Sequence, residues 1–138
     1  MNKYLIIGII IVVIIAGFAI IKTFGSSSTG NSIKTTDERP VKEFTMDSFV
    51  EMVDGKPKPQ YSLKEITVNK GDLVRIKITV TKGTHDFKID EFGVYADTQL
   101  DKESVVEFVA DKAGEFVYYC TKPGHRQNGH WGTLKVLG

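Results

Sequence analysis

The stretch that decides the interpretation of this chain is Phe116-Val-Tyr-Tyr-Cys-Thr-Lys-Pro-Gly-His-Arg-Gln-Asn-Gly-His-Trp-Gly132. It contains the single cysteine of the sequence, Cys120, and two of the three histidines, His125 and His130. Four residues separate Cys120 from His125, and four more separate His125 from His130. The residues on both sides of this set alternate as in β-strands, whereas the proline and glycines inside it favour turns. The stretch therefore predicts a strand, a tight loop and a return strand.

The third histidine, His85, lies upstream in Gly83-Thr-His-Asp-Phe87, just after a strongly alternating strand. A tight loop between two strands can direct a thiol and two imidazoles at one point. Thiolate and imidazole donors suit copper or zinc, whereas calcium and magnesium require oxygen ligands. One cysteine and three histidines in this arrangement therefore predict a transition-metal site, with copper preferred to zinc.

The joint pattern resembles the cupredoxins, the small copper proteins similar to plastocyanin and azurin, over roughly residues 40 to 138. In that family a mid-chain histidine and a C-terminal Cys-loop-His form a trigonal His₂Cys site, with a weak axial methionine in the same loop. The resemblance implies that His85, Cys120 and His125 are the equatorial ligands of one copper ion per chain. It also implies that His130 occupies the position of the axial methionine.

His130 departs from the family's pattern, because imidazole is a stronger donor than a thioether. The departure favours a red-copper centre, similar to nitrosocyanin, over a blue one. The alternative is that His130 points to solvent and leaves three ligands. Next to His85, Asp86 stands where the family often has a residue that braces the cysteine loop; the alternative is an exposed carboxylate. Trp131 is interpreted either as a shield for the metal or as packing at the start of the last strand.

The rest of residues 37–138 predicts short strands separated by turns. The clearest strand is Asp72–Val80, in which alternate residues are apolar. Further strands are predicted at Val41–Met46, Tyr61–Val68, Ser104–Ala110 and around the cysteine loop; helical turns are predicted at Asp47–Val53 and within Phe92–Lys102. Strands at intervals of about ten residues favour an all-β sandwich. The family resemblance implies a Greek-key, cupredoxin-like arrangement of the strands.

The N-terminal segment, residues 1–24, is predicted to be a transmembrane helix that anchors the domain. Its run Leu5–Ile21 has no charged residue. As a helix this run extends about 25 Å, and its apolar neighbours bring it to the thickness of a bilayer core. The alternative is a cleaved signal peptide, although no Ala-x-Ala site follows. Residues 25–36 are predicted to be a flexible polar linker with a root-mean-square reach of about 19 Å.

Charge and cysteine content narrow the classes of function. Only two of the 18 Lys and Arg residues, and none of the 17 Asp and Glu residues, lie among residues 1–30, so the remainder is nearly neutral. No basic tract indicates a nucleic-acid partner. Lys122 and Arg126 in the cysteine loop predict a local positive rim, unless they are simply a solvated loop tip. A free thiol outside the cell oxidises unless it is ligated or buried, which supports Cys120 as a ligand.

These observations predict an electron carrier rather than an enzyme. Its domain is expected on the outer, periplasmic or extracellular, side of the cell membrane, where it meets a redox partner protein. The alternative is a copper storage or delivery module, or a small red-copper catalytic or sensing site for a ligand such as nitric oxide. A nucleophilic Cys-His enzyme is disfavoured, because the chain has no separate substrate domain and its donors are better explained as ligands.

Overall fold

The computed structural model describes residues 39–138, and these residues form nine β-strands. The strands are β1 Val41–Val53, β2 Lys56–Tyr61, β3 Glu65–Asn69, β4 Leu73–Val80, β5 His85–Ile89, β6 Val94–Thr98, β7 Glu103–Val109, β8 Gly114–Tyr119 and β9 Trp131–Leu137. Within this range, no helix is long and apolar enough to cross a membrane. The predicted transmembrane helix and linker lie outside the described residues.

The strands form two sheets, which confirms the predicted all-β sandwich. One sheet has the order β2-β1-β4-β7, and the other has the order β3-β9-β8-β5-β6. Strand β1 pairs in parallel with β4, and β3 pairs in parallel with β9. Parallel neighbours cannot be joined by a tight hairpin. The chain therefore crosses between the two sheets repeatedly. These crossings bring distant parts of the sequence together at the ends of the strands.

The core lies between the two sheets, and β4 shows how the sequence directs side chains into it. Val74, Ile76, Ile78 and Val80 are fully buried, while the residues between them remain partly exposed. Burying each such side chain contributes about 1.5–3 kcal/mol. The other sheet adds further buried residues: Ile66, Phe87, Ile89, Tyr118 and Leu134. The predicted strand at Asp72–Val80 is confirmed.

Two segments predicted as helical turns are strands, so those predictions are wrong. Asp47–Val53 continues β1, and Phe92–Lys102 contains β6. Strand β1 first pairs with β4 and then, from Ser48 onward, with β2. Backbone pairing with β4 and then with β2 thus overrides the local sequence pattern, as is common for strands.

Strand β2 contains two prolines, Pro57 and Pro59, although proline is depleted in strands. Pro57 and Pro59 pair with β1, and only Asp54 and Gly55 form the turn, both with positive φ. Proline cannot donate to a ladder and is therefore confined to edge strands. Because β2 is an edge strand of its sheet, both prolines are accommodated.

Candidate metal centre

The five-stranded sheet carries the four predicted donors at one end. His85 is the first residue of β5, Cys120 follows the last residue of β8, and His130 precedes the first residue of β9. Strand β8 pairs antiparallel with both β5 and β9, so the start of β5, the end of β8 and the start of β9 lie at the same end of the sheet. The Cys120 amide donates to the His130 carbonyl at 3.1 Å. His125 lies in the loop between β8 and β9.

The donor atoms converge on one point. One nitrogen or sulfur atom from each of His85, Cys120, His125 and His130 lies within 4.8 Å of the others. The Nδ1 atoms of His85 and His125 are 3.3 Å apart, and Cys120 Sγ is 3.4 Å from His125 Nδ1. A tetrahedral ion with ordinary imidazole and thiolate bonds separates its ligand atoms by about 3.3–3.6 Å. All four predicted residues are therefore brought together at a spacing that fits one metal ion.

The centre is largely closed to solvent. His85, Cys120 and His130 are buried, whereas His125 is partly exposed. Burial lowers the pKa of His130 to about 3, and it also lowers the pKa values of His85 and His125. All three imidazoles are therefore held neutral, which is the form that binds metals. The alternative in which His130 points to solvent does not hold.

Hydrogen bonds outside the cluster orient two of the imidazoles. His85 Nε2 lies 2.8 Å from the Lys82 carbonyl oxygen, so it carries the hydrogen and leaves Nδ1 as the lone-pair nitrogen. His130 Nε2 lies 3.0 Å from Ser48 Oγ. His130 Nδ1 is buried and has no hydrogen-bond partner within residues 39–138. An unpaired buried polar atom costs about 1–3 kcal/mol, and a bound metal ion would satisfy it.

The thiol is better suited to coordination than to nucleophilic attack. Burial raises the pKa of Cys120 to about 11. A thiol that ionises so late is a poor nucleophile. A coordinated cation removes the proton outright, because the metal charge dominates the local electrostatics. The surroundings of Cys120 therefore match a metal ligand and oppose a Cys-His nucleophile.

Asp86 braces the cysteine loop. Its carboxylate accepts hydrogen bonds from the Thr121 amide at 2.6 Å and the Thr121 hydroxyl at 2.5 Å, and the side chain is buried. Burial opposes ionisation of Asp86, but the hydrogen bonds from Thr121 outweigh it and hold the pKa below its usual value. The residue after Cys120 is thereby tied to β5. Of the two interpretations of Asp86, the structure shows the brace.

The charged and aromatic residues of the loop lie on the outside. Lys122 pairs with Asp97 at 3.3 Å, and the Arg126 guanidinium lies 4.1 Å from the centre of the Tyr119 ring. Both cations of the predicted rim therefore have partners within the domain. Trp131 is 45% exposed at the start of β9, which agrees with a position at the strand start rather than with a shield over the cluster.

Sequence reasoning missed two residues that contact the centre. Ser48 is buried against His130, and the Tyr61 ring packs with its centre 4.1 Å from that of the His130 ring. The Tyr61 hydroxyl donates to the Asp86 carbonyl at 2.5 Å. A signal for Ser48 existed in β1, because it follows the buried Met46 at the two-residue spacing of one strand face.

The two-sheet fold is similar to that of the cupredoxins, and the cluster of one cysteine and three histidines fits a cupredoxin site, which confirms the predicted resemblance to that family. Two solved structures show the fold. Copper nitrite reductase from Nitrosomonas europaea has a TM-score of 0.62 and 19% identity, over 70% of this chain and 41% of that one. Auracyanin from Roseiflexus castenholzii has a TM-score of 0.56 and 19% identity, over 70% of this chain and 97% of that one.

Part of the chain is also similar in sequence to a much longer protein. Nitrous-oxide reductase from Ralstonia nicotianae is 37% identical over 67 residues, which is 46% of this chain and 10% of that protein. This chain therefore spans about a tenth of the length of the curated relatives it matches. The chain matches no family model.

Proposed function

We propose that this chain is a membrane-anchored electron carrier in which His85, Cys120, His125 and His130 hold one copper ion. The observation that carries the proposal is the convergence of their four donor atoms within 4.8 Å. Copper bound by thiolate and imidazole alternates between Cu(I) and Cu(II) and so supplies one-electron chemistry. The apolar run in residues 1–24 supports the anchor, because it has the length and composition of a membrane span.

The protein holds its donors rigidly, which favours electron transfer. Three of them are fixed at the ends of paired strands β5, β8 and β9, and Asp86 ties the residue after Cys120 to β5. A site positioned by strands and supporting hydrogen bonds keeps its geometry. Small structural change between the two oxidation states keeps the cost of moving one electron low.

His130 is proposed as the fourth ligand, and with it a red rather than a blue centre. Its imidazole is buried, neutral at physiological pH and has one nitrogen without a hydrogen bond. Imidazole is a stronger donor than the thioether that occupies this position in blue-copper sites. A closer fourth ligand weakens the bond to the Cys120 sulfur and changes the absorption spectrum accordingly.

Electrons are proposed to enter and leave near His125, because it is the one ligand that is not buried. The predicted linker, residues 25–36, is short enough to keep the domain close to the membrane, where we propose that a redox partner protein meets it. Burial of the other three ligand residues favours this role over a small-molecule catalyst or sensor, since an added ligand would need space at the metal. Nothing in the charge pattern supports a nucleic-acid partner.

The proposal is tested with copper titrations of the full-length chain and its Cys120→Ser variant. Wild type should bind one copper ion, show an intense visible sulfur-to-copper band and exchange one electron reversibly. The variant should lose the band, because Cys120 is the single cysteine of the chain. Circular dichroism of the variant controls for folding. An intense band that survives in the serine variant would contradict the site, and a wild-type spectrum that changes with added azide or nitric oxide would favour the sensing role.

A further inference from the structure

Ser48 connects the four-stranded sheet to the candidate metal centre, which lies on the five-stranded sheet. It is fully buried on β1, and its hydroxyl oxygen lies 3.0 Å from His130 Nε2, 82 residues away in the chain. Its backbone pairs with Val80 of β4 on one side and with Tyr61 of β2 on the other. The Ser48 hydroxyl is therefore held in place by strands on both sides.

His85 and His130 are oriented in different ways. The hydrogen-bond partner of His85 Nε2 is the carbonyl oxygen of Lys82, which any residue type would supply at that position. The partner of His130 Nε2 is a side-chain hydroxyl, which only a few residue types supply. The orientation of His130 thus depends on the identity of one residue, Ser48, in a distant part of the sequence.

A ring flip explains why this contact matters. Rotating an imidazole by 180° about its Cβ–Cγ bond exchanges Nδ1 with a carbon and Nε2 with another carbon. The Tyr61 ring, which packs beside the imidazole with centres 4.1 Å apart, contacts either orientation of the ring in the same manner. The Ser48 hydroxyl distinguishes the two orientations, because only a nitrogen can form the hydrogen bond.

The surroundings of the two ring nitrogens together favour one tautomer. If Ser48 donated the hydrogen bond to Nε2, the His130 proton would lie on Nδ1. That proton would have no acceptor within residues 39–138, and Nδ1 would have no lone pair to bind a metal. If His130 donates its Nε2–H to Ser48, Nδ1 keeps its lone pair. Histidines that bind metals commonly donate their second N–H in this way.

We propose that Ser48 is a positioning residue that fixes His130 as an Nδ1 donor to the copper ion; this inference rests on the proposed copper function. By accepting the Nε2–H, it fixes the ring orientation and, together with the lack of an acceptor at Nδ1 among residues 39–138, the tautomer before the metal binds. A hydroxyl is a weaker acceptor than a carboxylate, so it orients the imidazole while raising its basicity only modestly. Ser48 thereby sets the strength of the fourth ligand.

The test compares Ser48→Ala with Ser48→Thr in the full-length chain, with Thr98→Val as the matched control. Thr98 is also buried and donates from its hydroxyl to the His85 carbonyl at 2.8 Å, but it contacts no imidazole nitrogen through this bond. Ser48→Ala should lower the affinity for Cu(II) by about 10–100-fold and move the visible and electron paramagnetic resonance spectra toward those of His130→Phe. Ser48→Thr should restore the wild-type spectra, and Thr98→Val should leave them unchanged.

Nitrogen-15 NMR of the copper-free chain gives a second measurement that does not depend on copper. Wild-type His130 should be the Nε2–H tautomer, and Ser48→Ala should give a mixture of tautomers. A wild-type Nδ1–H tautomer would overturn the proposal even if Ser48→Ala does not fold. Copper spectra that change in His130→Phe but not in Ser48→Ala would refute the role of Ser48 alone. Copper spectra unchanged in His130→Phe would refute His130 as a ligand, and with it both proposals for this residue.

Discussion

At the scale of single residues, the character of the centre depends on position 130. His130→Met should move absorption from the higher-energy sulfur-to-copper band to the red band and raise the reduction potential. The reason is that a thioether stabilises Cu(II) less than imidazole does. For a one-electron couple, each tenfold loss of Cu(II) affinity relative to Cu(I) raises the potential by about 59 mV.

Absorption spectra and cyclic voltammetry of copper-loaded wild type and His130→Met check this prediction. The contrary result is an intensely blue wild type whose potential does not change on substitution. His130 would then be a buried histidine bonded to Ser48 beside a three-ligand site.

The same imidazoles make the copper-free domain sensitive to acid. Burial lowers the pKa of His130 to about 3 and lowers the pKa values of His85 and His125. In the unfolded chain a histidine binds its proton below about pH 6.5. As the pH falls from about 6.5 toward 3, the unfolded state therefore binds more protons than the folded state, and the free energy of unfolding decreases.

Urea unfolding of copper-free residues 37–138 at pH 7.5 and pH 5 measures this effect. The unfolding midpoint should be lower at pH 5, and the difference should be smaller in His130→Phe, which keeps a ring but has no titratable nitrogen. Equal midpoints for wild type at the two pH values would show that the buried histidines do not control the acid response.

At the scale of the structural elements, the turn from β4 to β5 is the tightest constraint on the centre. Gly83 has φ of 99°, and a Cβ atom there would lie 2.7 Å from His85 Nε2 and 3.0 Å from a Val50 methyl carbon. Gly83→Ala should therefore displace the His85 ring and lower copper affinity at least tenfold. The backbone strain itself costs about 1–3 kcal/mol.

Gly71→Ala is the matched control for this substitution. Gly71 has a similar φ of 95°, but nothing lies within 4 Å of its added Cβ atom. The Gly71→Ala variant should lose about as much folding stability in urea as Gly83→Ala does. It should keep the wild-type copper affinity in a competition titration. Equal copper affinities for the two alanine variants would show that His85 tolerates the contact or does not bind the metal.

The elements also show what the sequence can predict. Asp72–Val80 was predicted as a strand because its apolar residues alternate, and it forms β4. Asp47–Val53 was predicted as a helical turn, because no local pattern reveals that β1 changes partners at Ser48. The clustering of the four candidate donors could be predicted from their chemistry and spacing. Strand alternation could place Ser48 on the buried face of β1. The contacts of Ser48 and Tyr61 with His130 could not be predicted, since they depend on pairing between distant strands.

At the scale of the whole molecule, the prediction concerns the segment before the domain. Full-length protein should remain with membranes after a wash in high salt, because an apolar run such as Leu5–Ile21 inserts through the hydrophobic effect and not through charge. Residues 37–138 expressed without the N-terminal segment should not remain in the membrane fraction after the same wash. Fractionation and immunoblotting measure both. A mature chain that begins near Gly25 in the soluble fraction would identify the segment as a cleaved signal peptide instead.

The position of β9 in the sheet has a consequence for the order of events in the cell. Strand β9 is the last of the nine strands in residues 39–138, yet it lies inside the five-stranded sheet between β3 and β8. During synthesis the N-terminal parts emerge first. His85 therefore cannot cluster with Cys120, His125 and His130 until β9 has been synthesised and inserted. The complete set of four candidate donors therefore forms only after β9 has been inserted between β3 and β8.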